Sequence, residues 1–412
     1  MLHGWMDAAS DNDGGTSSVT AASPLPGAAR SCPELRRARP VACRATSSRP
    51  MGGIASESTS VPRYPDEDDK LRATSLQVRR GGNCPNSLEV LQQLLRAGRD
   101  RHHDVRPYLV TCLPDESSPA TRLVMASFGD DSAVDFGHCL HRQGHAEAAS
   151  SHIIRSARTG SRTIVNYNEL PEMTVGEFEA VAHGFRADQD TWWHFEGRMP
   201  ETTLRCIETL RKTLPSASIS VEVEKPGRVG LAELAAEADV VFYSRAWAEV
   251  SDEGNARRRR VARRPTGGHH VSLTDAARTM MQSRGHQSPE ACLRNEHRRQ
   301  ESLGLCAWGA EGAAALSRSR GSCEYIRCPV ETRPGGIPVV DSIGAGDTLV
   351  AGMLYGLTSQ AGSWDVERSL RFAVDLATLK VQREGFGGLA ADVWPARHGN
   401  SVAEHARSKQ AP

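Results

Sequence analysis

The sequence predicts an α/β protein whose central sheet is mainly parallel and is covered by helices on both faces. Short apolar strands alternate with amphipathic helices through the middle of the 412 residues. The strands read as nearly continuous apolar runs, which is typical of parallel strands that are buried on both faces. Polar motifs follow the ends of several strands, where open α/β sheets bind their ligands.

The alternation begins with a buried strand at residues 191–195. A helix follows, because Pro200 suits a first helical turn and apolar residues recur at helical spacing up to Leu214. Strict alternation of apolar and polar residues over 219–223 then indicates a strand. The pattern continues with a short helix at 231–238 and strands at 240–243, 303–308 and 337–340.

Composition excludes several classes of protein. The chain has 50 basic and 50 acidic side chains, so no net charge attracts it to nucleic acid or to a membrane surface. No apolar run is long enough to cross a bilayer, and the first residues lack the pattern of a secretory signal. We therefore expect a cytoplasmic protein. Its 10 cysteines show no paired spacing and are expected to be reduced thiols.

Three segments depart from the alternating pattern. Residues 1–60 are rich in Ala, Ser, Gly, Pro and Arg, and we expect this segment to be disordered or aberrant. Residues 251–284 carry arginine runs that indicate either a nucleic-acid or nuclear-localisation patch or a solvated surface insertion. The absence of interleaved aromatic residues favours the insertion. A disordered tail is expected at 396–412, so one folded domain spans 61–395.

A metal site can be drawn from four neighbouring side chains, His138, Cys139, His141 and His145. The surrounding residues alternate as in a strand, which sends neighbouring side chains to opposite faces and prevents convergence on one ion. A polar, half-exposed strand is the better interpretation, and the sequence leaves any metal ligands unknown.

The strongest chemical signal is the string DSIGAGDT at residues 341–348. A turn of Gly344, Ala345 and Gly346 leads from an apolar strand into a helix with one apolar side. Unpaired N–H groups and the helix dipole at such an N-terminus favour an anion such as a phosphoryl group. Asp347 beside them suits a base that accepts the proton of an attacking hydroxyl. The alternative is an ordinary capped turn between a strand and a helix. The complete string DSIGAGDT, with an apolar strand before it and an apolar helix after it, favours the phosphoryl-binding interpretation.

This string resembles the second signature of the pfkB (ribokinase-like) carbohydrate kinases, and other segments resemble the ketohexokinase or fructokinase branch of that family. The resemblance covers residues 61–250 and 285–390. It implies a ribokinase-like three-layer α/β/α sandwich with a small β-sheet lid. It also implies that Asp347 is the catalytic base and that residues 344–346 form the anion hole.

On the sugar side, residues 80–87 resemble the family's Gly-Gly-Asn-x-x-Asn turn. The resemblance implies that Gly82, Asn83 and Asn86 contact sugar hydroxyls, and amides three residues apart on a helix can both donate to and accept from a polyol. An N-cap role for Asn83 is compatible with this function. Asp68 is the implied sugar-side carboxylate, with a solvated acidic loop as the alternative.

On the nucleotide side, Arg162 falls where the family places an arginine near the ATP phosphates. Lys225 falls among the family's nucleotide-side residues, although it also suits a surface charge. Two further segments, 305–313 and 380–389, resemble the stretches that line the nucleotide pocket. They imply contacts from Trp308, Gly309, Gly312 and Gly385. The implied cofactors are ATP and Mg²⁺.

The chain also departs from the family. Relatives begin with an apolar strand that ends in a sugar-binding aspartate, whereas residues 52–60 are not strand-like and the register offers Ser56. The lid is expected from residues 73–80 and 134–158, and a homodimer through this lid is the implied protein partner.

We therefore expect ATP-dependent phosphorylation of a primary hydroxyl on a small sugar, most plausibly a ketohexose such as fructose. One alternative is a pfkB kinase of another sugar or of a nucleoside. The other, motivated by the missing strand and aspartate, is a non-catalytic nucleotide-binding pseudokinase.

Overall fold

The computed structural model describes residues 39–44, 55–98, 105–226, 228–249, 285–331, 334–359 and 365–393. The basic insertion expected at 251–284 and the disordered tail expected at 396–412 lie outside the described residues. None of the helices in these ranges is both long enough and apolar enough to cross a membrane.

Eight strands form the central sheet, in the order β14-β13-β12-β11-β10-β9-β1-β4. Neighbours from β12 to β4 run parallel, whereas β13 and β14 add an antiparallel edge. These strands are β1 (Arg39–Arg44), β4 (Val105–Val110), β9 (Trp192–Glu196), β10 (Ser218–Val223), β11 (Val240–Ser244), β12 (Ser302–Ala307), β13 (Ala313–Ser319) and β14 (Ser322–Cys328).

Helices pack on both faces of this sheet. One layer contains α1 (Asn83–Ala97), α2 (Pro119–Ala126), α8 (Ala345–Ser359) and α9 (Val366–Val381). The other contains α3 (Val175–His183), α4 (Pro200–Thr213), α5 (Leu231–Glu237), α6 (Arg245–Ala248) and α7 (Pro289–Asn295). Strand side chains alternate between two cores, so that Val41 and Cys43 join the first and Ala42 the second. The predicted three-layer sandwich is confirmed.

A second sheet of four strands has the order β3-β2-β7-β8. Its strands are β2 (Ala55–Val61), β3 (Ser75–Arg80), β7 (Ser150–Ser156) and β8 (Arg162–Tyr167). Of the segments expected to form a lid, residues 75–80 and 150–156 lie in this smaller sheet, which is called the lid below, whereas the expectation is wrong for residues 134–149. That stretch lies along the central sheet, because the Leu109 N–H donates to the Asp135 carbonyl at 3.0 Å and β6 (Leu140–His141) pairs with β5 (Cys112–Leu113).

The expectation of disorder across residues 1–60 is wrong wherever that segment is described. β1 lies between β4 and β9 in the centre of the sheet, and β2 is an inner strand of the lid. Backbone hydrogen bonds to two neighbours and burial on both faces stabilise a strand that composition does not indicate. The first strand is thus present, and it ends in the buried Arg44 instead of an aspartate.

The strand predicted at 337–340 is also wrong. Val339 and Val340 are 68% and 55% exposed, and the Val340 N–H donates to the Val381 carbonyl at the end of α9, at 2.7 Å. The segment has no strand partner among the described residues, because it runs beside a helix end and covers no core. A loop, and not a buried strand, therefore leads into the glycine-rich turn. The other predicted strands and helices between 191 and 308 form within about a residue of the expected bounds.

Candidate active site

The glycine-rich turn of residues 344–346 begins helix α8. Gly344 has a φ of +79°, and a Cβ there would lie 2.3 Å from the ring of Phe386. Only glycine meets both demands without strain. The Thr348 N–H and hydroxyl both bond to the Gly344 carbonyl, at 2.9 and 2.8 Å. These bonds set the first turn of α8 and place Asp347 at its third residue.

Asp347 is half-buried and is held from the neighbouring helix α1. Asn86 Nδ2 donates to Asp347 Oδ2 at 2.7 Å, and the Ser87 hydroxyl donates to the Asp347 carbonyl at 3.0 Å. Burial raises the pKa of Asp347 well above its usual value, the nearby Glu222 carboxylate raises it further, and the Asn86 amide opposes the shift. A carboxylate with a raised pKa is a stronger proton acceptor than an ordinary one.

The first turn of α1 carries the two predicted sugar-side amides. Gly82 precedes the helix with a φ of +91° and caps it without a side chain, so Asn83 is not the N-cap. Asn83 Nδ2 donates to Glu222 Oε2 at 2.8 Å, and Arg198 donates to Asn83 Oδ1 at 3.4 Å. The amide is thereby fixed at the carboxyl ends of β9 and β10.

An acidic network lies beneath these amides. His194 is fully buried, and its ring nitrogens lie 2.9 Å from Ser220 Oγ and 3.0 Å from Glu222 Oε1. The Cys84 N–H donates to Glu196 Oε1 at 2.9 Å, and the other Glu196 oxygen pairs with Arg198. Each buried carboxylate thus has a charged or polar partner, which burial requires.

Asp341, the first residue of the motif, anchors the loop that leads into the glycine-rich turn. Its Oδ1 accepts the Ile343 N–H at 3.0 Å, and its Oδ2 lies 3.0 Å from the fully buried Lys380 Nζ and 3.2 Å from Arg79 Nη1. Burial acts to raise the pKa of Asp341, but the Ile343 N–H, Lys380 and Arg79 outweigh it and lower the pKa. Arg79 belongs to β3, so this carboxylate joins the lid to the motif.

A cavity of about 720 Å³ lies between the lid and the carboxyl ends of the central strands. Its lid wall includes Arg155 and Arg162, which lie directly opposite each other on β7 and β8. Its floor includes Glu222 and Glu224, close to the motif. The cavity therefore has a basic roof and an acidic floor.

Eight of the predicted site residues line this one cavity. They are Gly82, Asn83, Asn86, Arg162, Gly344, Gly346, Asp347 and Gly385. Ala345 is the first residue of α8 and is not among the lining residues. Residues far apart in the chain are thus brought together around one cavity.

Besides Ala345, five predicted residues are not among those that line the cavity. Asp68 is an exposed turn residue with a φ of +64°, which suits the alternative of a solvated acidic loop. Trp308 is buried in the second core. A Cβ on Gly312 would lie 2.1 Å from the Cys328 carbonyl, so its close approach is to protein backbone. Gly309 sits in a 3₁₀ turn, Gly309–Glu311.

Lys225 is the fifth of these residues. It is half-buried just beyond the end of β10, beside the cavity-lining Glu224. Burial lowers its pKa, while Glu224 acts in the opposite direction. Its position at the carboxyl edge of the sheet remains compatible with a ligand contact.

The sequence did not single out Arg79, Arg155, Glu222 or Phe386, which all line the cavity. Arg79 precedes the glycine turn by two residues and Glu222 lies in the segment already matched to the family, so both carried a signal. Phe386 follows Gly385 in the segment 380–389, so it also carried a signal. Arg155 lies in no segment matched to a motif, and only its pairing with Arg162 across β7 and β8 reveals it.

The structure does not support the metal site considered at His138, Cys139, His141 and His145. Cys139 Sγ bonds to the Leu109 carbonyl at 3.2 Å, and His138 stacks against Phe185 with ring centroids 4.6 Å apart. His141 Nδ1 lies 3.2 Å from the Pro114 carbonyl. These side chains are used in packing and do not converge.

Known proteins resemble this chain in sequence and in fold. Residues 277–391 match the pfkB family carbohydrate kinases. Ketohexokinase of Mus musculus is 27% identical over 341 residues, which are 80% of this chain and 93% of that protein. A 1-phosphofructokinase of Escherichia coli K12 is 37% identical over 79 residues, 19% of this chain and 22% of that protein.

Solved structures agree on the fold. A ribokinase from Giardia lamblia has a TM-score of 0.59 with 14% identity, over 88% of this chain and 99% of its own. An Arabidopsis thaliana ribokinase complexed with ribose and ATP has a TM-score of 0.55 with 16% identity, over 84% and 94%. With the motif at the head of α8, residues 277–391 are similar to the pfkB family carbohydrate kinases, and the chain shares the fold of the ribokinases.

Proposed function

We propose that this sugar kinase transfers the γ-phosphoryl group of ATP to a primary hydroxyl of a ketohexose such as fructose. One observation carries the proposal: Asp347, the glycine-rich turn and the Asn83 and Asn86 amides line one cavity. A base, an anion-binding helix end and polyol-binding amides are the groups that this transfer needs. Of the two sequence relatives described above, ketohexokinase matches the larger part of the chain, 80%.

Asp347 is the proposed base. The hydroxyl proton passes to its carboxylate while the hydroxyl oxygen forms a bond to the γ-phosphorus. The bond between that phosphorus and the β–γ bridging oxygen breaks, and ADP leaves with the electron pair. The N–H groups at the start of α8, in residues 344–346, stabilise the charge on the moving phosphoryl group. Arg162 in the lid binds the ATP phosphates in this scheme.

Mg²⁺ is the proposed metal of the nucleotide. The fit rests on the acidic floor, because Glu222 and Glu224 line the cavity near the motif and carboxylate oxygens are the ligands that Mg²⁺ prefers. These two residues would hold the ion or its waters. When bound, Mg²⁺ neutralises phosphate charge.

A homodimer through the lid is part of the proposal. Leu76 and Val165, on the outer strands β3 and β8, are 60% and 58% exposed. Apolar side chains at the two edges of a small sheet favour burial against a second copy.

A phosphorylated sugar is the second candidate acceptor. Arg155 and Arg162 are directly paired across β7 and β8, and like charges in such a pair repel unless an anion lies between them. With two arginines at the cavity, one guanidinium can bind the phosphates of ATP while the other binds a phosphate on the acceptor. The short match to 1-phosphofructokinase points in the same direction.

The test is ATP consumption, coupled to ADP detection, over a panel of fructose, fructose 1-phosphate, ribose and adenosine. Highest turnover with fructose supports the first candidate, and highest turnover with fructose 1-phosphate supports the second. ATP binding without turnover of any acceptor contradicts both and leaves a non-catalytic nucleotide-binding protein.

The variant Asp347→Asn tests the base. We expect turnover to fall by about 10³-fold or more while ATP binding persists. The matched control is Asp188→Asn, because Asp188 is 61% exposed and pairs with Arg186 on the surface. Unchanged turnover in Asp347→Asn would mean that another group accepts the proton.

The same variant has a consequence for stability. The pKa of Asp347 is raised in the folded protein, so the folded state binds the proton more tightly than the unfolded state does. This preference favours folding at low pH and is lost as pH rises through the folded pKa. Asp347→Asn should therefore raise the melting temperature at pH 8 relative to wild type, and the gain should vanish near pH 4. A lower melting temperature at pH 8 would contradict the raised pKa.

A further inference from the structure

A buried cluster of metal-binding side chains lies away from the cavity, at helix α7. His286, Cys292 and Glu296 each offer a ligand atom, and the three atoms lie within 4.8 Å of one another. In the residues that the structure describes, this is the one group of three such side chains with that spacing. The side chains of His286 and Glu296 are 12% and 7% exposed, and Cys292 is fully buried.

Local structure produces this convergence. The Ser288 hydroxyl accepts the Ala291 N–H at 3.1 Å and caps α7, so that the next turn carries Cys292. The Glu296 N–H bonds to the Cys292 carbonyl at 3.0 Å, which places these two residues one helical turn apart on the same side. The His286 N–H bonds to the Ala248 carbonyl at 2.9 Å, which holds the imidazole against α7 from the preceding segment.

The spacing suits a tetrahedral zinc ion. His286 Nε2 and Glu296 Oε1 are 3.6 Å apart. Bonds of about 2.0–2.2 Å to nitrogen and oxygen and about 2.3 Å to sulfur place two ligands of one zinc roughly 3.3–3.8 Å apart. A donor set of imidazole, thiolate and carboxylate is also the mixture that zinc binds, whereas Mg²⁺ and Ca²⁺ prefer oxygen alone.

Two further groups surround the three ligands. The Cys306 thiol of β12 is hydrogen-bonded with the Cys292 thiol, and neither cysteine forms a disulfide. Tyr243 lies opposite Cys306 in the register of β11 and β12 and is 2% exposed. Its hydroxyl has no hydrogen-bond partner in the described part of the chain, and Glu296 and Cys292 are among the ionisable groups that act on it. A buried polar group of this kind calls for a ligand or an ordered water.

The charges of the proposed ligands, the ion and the nearby side chains also balance. Two thiolates, one carboxylate and one Zn²⁺ sum to a single negative charge. The guanidinium of Arg298, which is 4% exposed and donates to the Leu293 and Leu316 carbonyls, supplies the compensating positive charge. A buried metal site without such balance would be costly.

We propose that His286, Cys292 and Glu296 form a structural zinc site. The Cys306 thiol, which is hydrogen-bonded with Cys292 but lies outside the group of three with mutual distances within 4.8 Å, moves toward the ion to become the fourth ligand. The site joins α7 to β12 and to the segment that follows α6. It lies in the second core, on the other side of β11 and β12 from α8, so it stabilises the fold and takes no part in phosphoryl transfer.

The experiment uses the full-length protein, expressed with zinc and dialysed against metal-free buffer. Inductively coupled plasma mass spectrometry should detect about one zinc ion per protein chain. Replacement by Co²⁺ should give the intense visible bands of a tetrahedral site and a near-ultraviolet thiolate-to-cobalt band. Removal of zinc by a chelator should lower the melting temperature, and added Zn²⁺ should restore it.

Variants locate the site. Cys292→Ser and Glu296→Gln should each weaken zinc binding by at least about tenfold, and Cys292→Ser should reduce the thiolate-to-cobalt band. Matched controls are Cys323→Ser and His297→Ala, whose side chains are exposed and lie outside the group. A third control, His269→Ala with His270→Ala, tests the histidine pair of the insertion. Zinc binding should stay unchanged in all three.

Several results would overturn the site. Protein without bound zinc and without a cobalt spectrum would do so, as would zinc binding that survives Cys292→Ser or is lost only in the control variants. A Cys292–Cys306 disulfide in the purified protein, found by peptide mass spectrometry, would also overturn it because the sulfur atoms would be unavailable. If a variant is isolated unfolded, cobalt titration of the wild-type protein provides the test instead. The thiolate-to-cobalt band is sufficient, because it appears only when a cysteine binds the metal.

Discussion

The first-turn residues of α8 are under two different physical constraints. Gly344 is required by backbone geometry, since its φ is +79° and the Phe386 ring occupies the space of a Cβ. Asp347 is constrained by a side-chain contact, since the Asn86 amide holds its carboxylate in the cavity. Gly346 shows neither constraint, because a Cβ there would meet nothing within 4 Å. The structural roles of Gly344 and Gly346 can therefore be distinguished by substituting each glycine separately.

Gly344→Ala should destabilise the protein by about 1–3 kcal/mol, because the substitution forces a left-handed backbone and a clash with Phe386. Gly346→Ala is the matched control and should leave the free energy of unfolding nearly unchanged, whatever it does to turnover in the cavity. Urea denaturation of both variants measures the difference. Equal stability of the two would refute the geometric argument.

Among the core residues that the structure describes, Arg44 has the most buried side-chain nitrogen atoms without a hydrogen-bond partner. It is 1% exposed, and its Nη1 donates to Thr203 Oγ1 at 3.3 Å. Its Nε and Nη2 have no hydrogen-bond partner within the described ranges, and its guanidinium lies 5.6 Å from the Phe178 ring centroid. A buried charge without a carboxylate is costly.

Arg44→Met should therefore stabilise the protein, by about 1 kcal/mol or more, because methionine fills the space without a charge. Arg142→Met is the matched control. It removes a half-buried arginine that has an ion-pair partner, Glu177, and should destabilise the protein. A loss of stability in Arg44→Met, measured by urea denaturation, would show that the guanidinium has a partner outside the described residues.

Contacts at the ends of helices contribute part of the stability of the fold. Helix α3 begins with a capping box, in which the Glu177 N–H bonds to Thr174 Oγ1 and the Thr174 N–H bonds to Glu177 Oε2. Arg142 also pairs with Glu177, at 2.5 Å. The hydrogen bond from Arg142 is the main cause that lowers the pKa of Glu177 to about 2, and the Thr174 bonds add to it.

This lowered pKa predicts a pH-dependent stability. The contribution of ionised Glu177 is present above its unfolded pKa of about 4.3 and is lost as pH falls through about 2. Glu177→Gln should therefore lower the melting temperature at pH 7 and have little effect near pH 2. The control is Glu179→Gln, an exposed position on the same helix. A pH-independent difference would mean that Glu177 acts through packing alone.

At the scale of the whole molecule, the lid is held over the cavity by a few ion pairs. Arg79 of β3 pairs with Asp341 at 3.2 Å and with Glu384 at 3.1 Å. Asp341 is in turn bonded to the buried Lys380 of α9. The lid, the catalytic motif and the C-terminal loop are thus linked through one arginine.

Arg79→Ala should loosen this link and raise the KM for the sugar several-fold, with a smaller effect on kcat, because the open lid binds substrate less well. The control is Arg158→Ala, an exposed residue of the same sheet's hairpin. Steady-state kinetics with both variants provide the measurement. An unchanged KM in Arg79→Ala would mean that lid closure does not depend on these pairs.

The sequence by itself determined the layered α/β fold, the glycine-rich turn with Asp347, and the asparagine pair at the head of α1. These features are local, because helix starts, glycine turns and alternating strands are written in neighbouring residues. It misjudged β1 and the segment at 337–340, since strand pairing depends on distant partners and not on local composition.

Only the tertiary structure decided which of these residues meet. It brought Asn86 to Asp347 and Arg79 to Asp341, although the members of each pair are far apart in the chain. It also placed Arg155, which no sequence motif indicates, opposite Arg162. It also placed Asp68 and Trp308 outside the cavity-lining set. Distances between side chains on different elements follow from packing, so sequence patterns can nominate a site's residues but cannot assemble them.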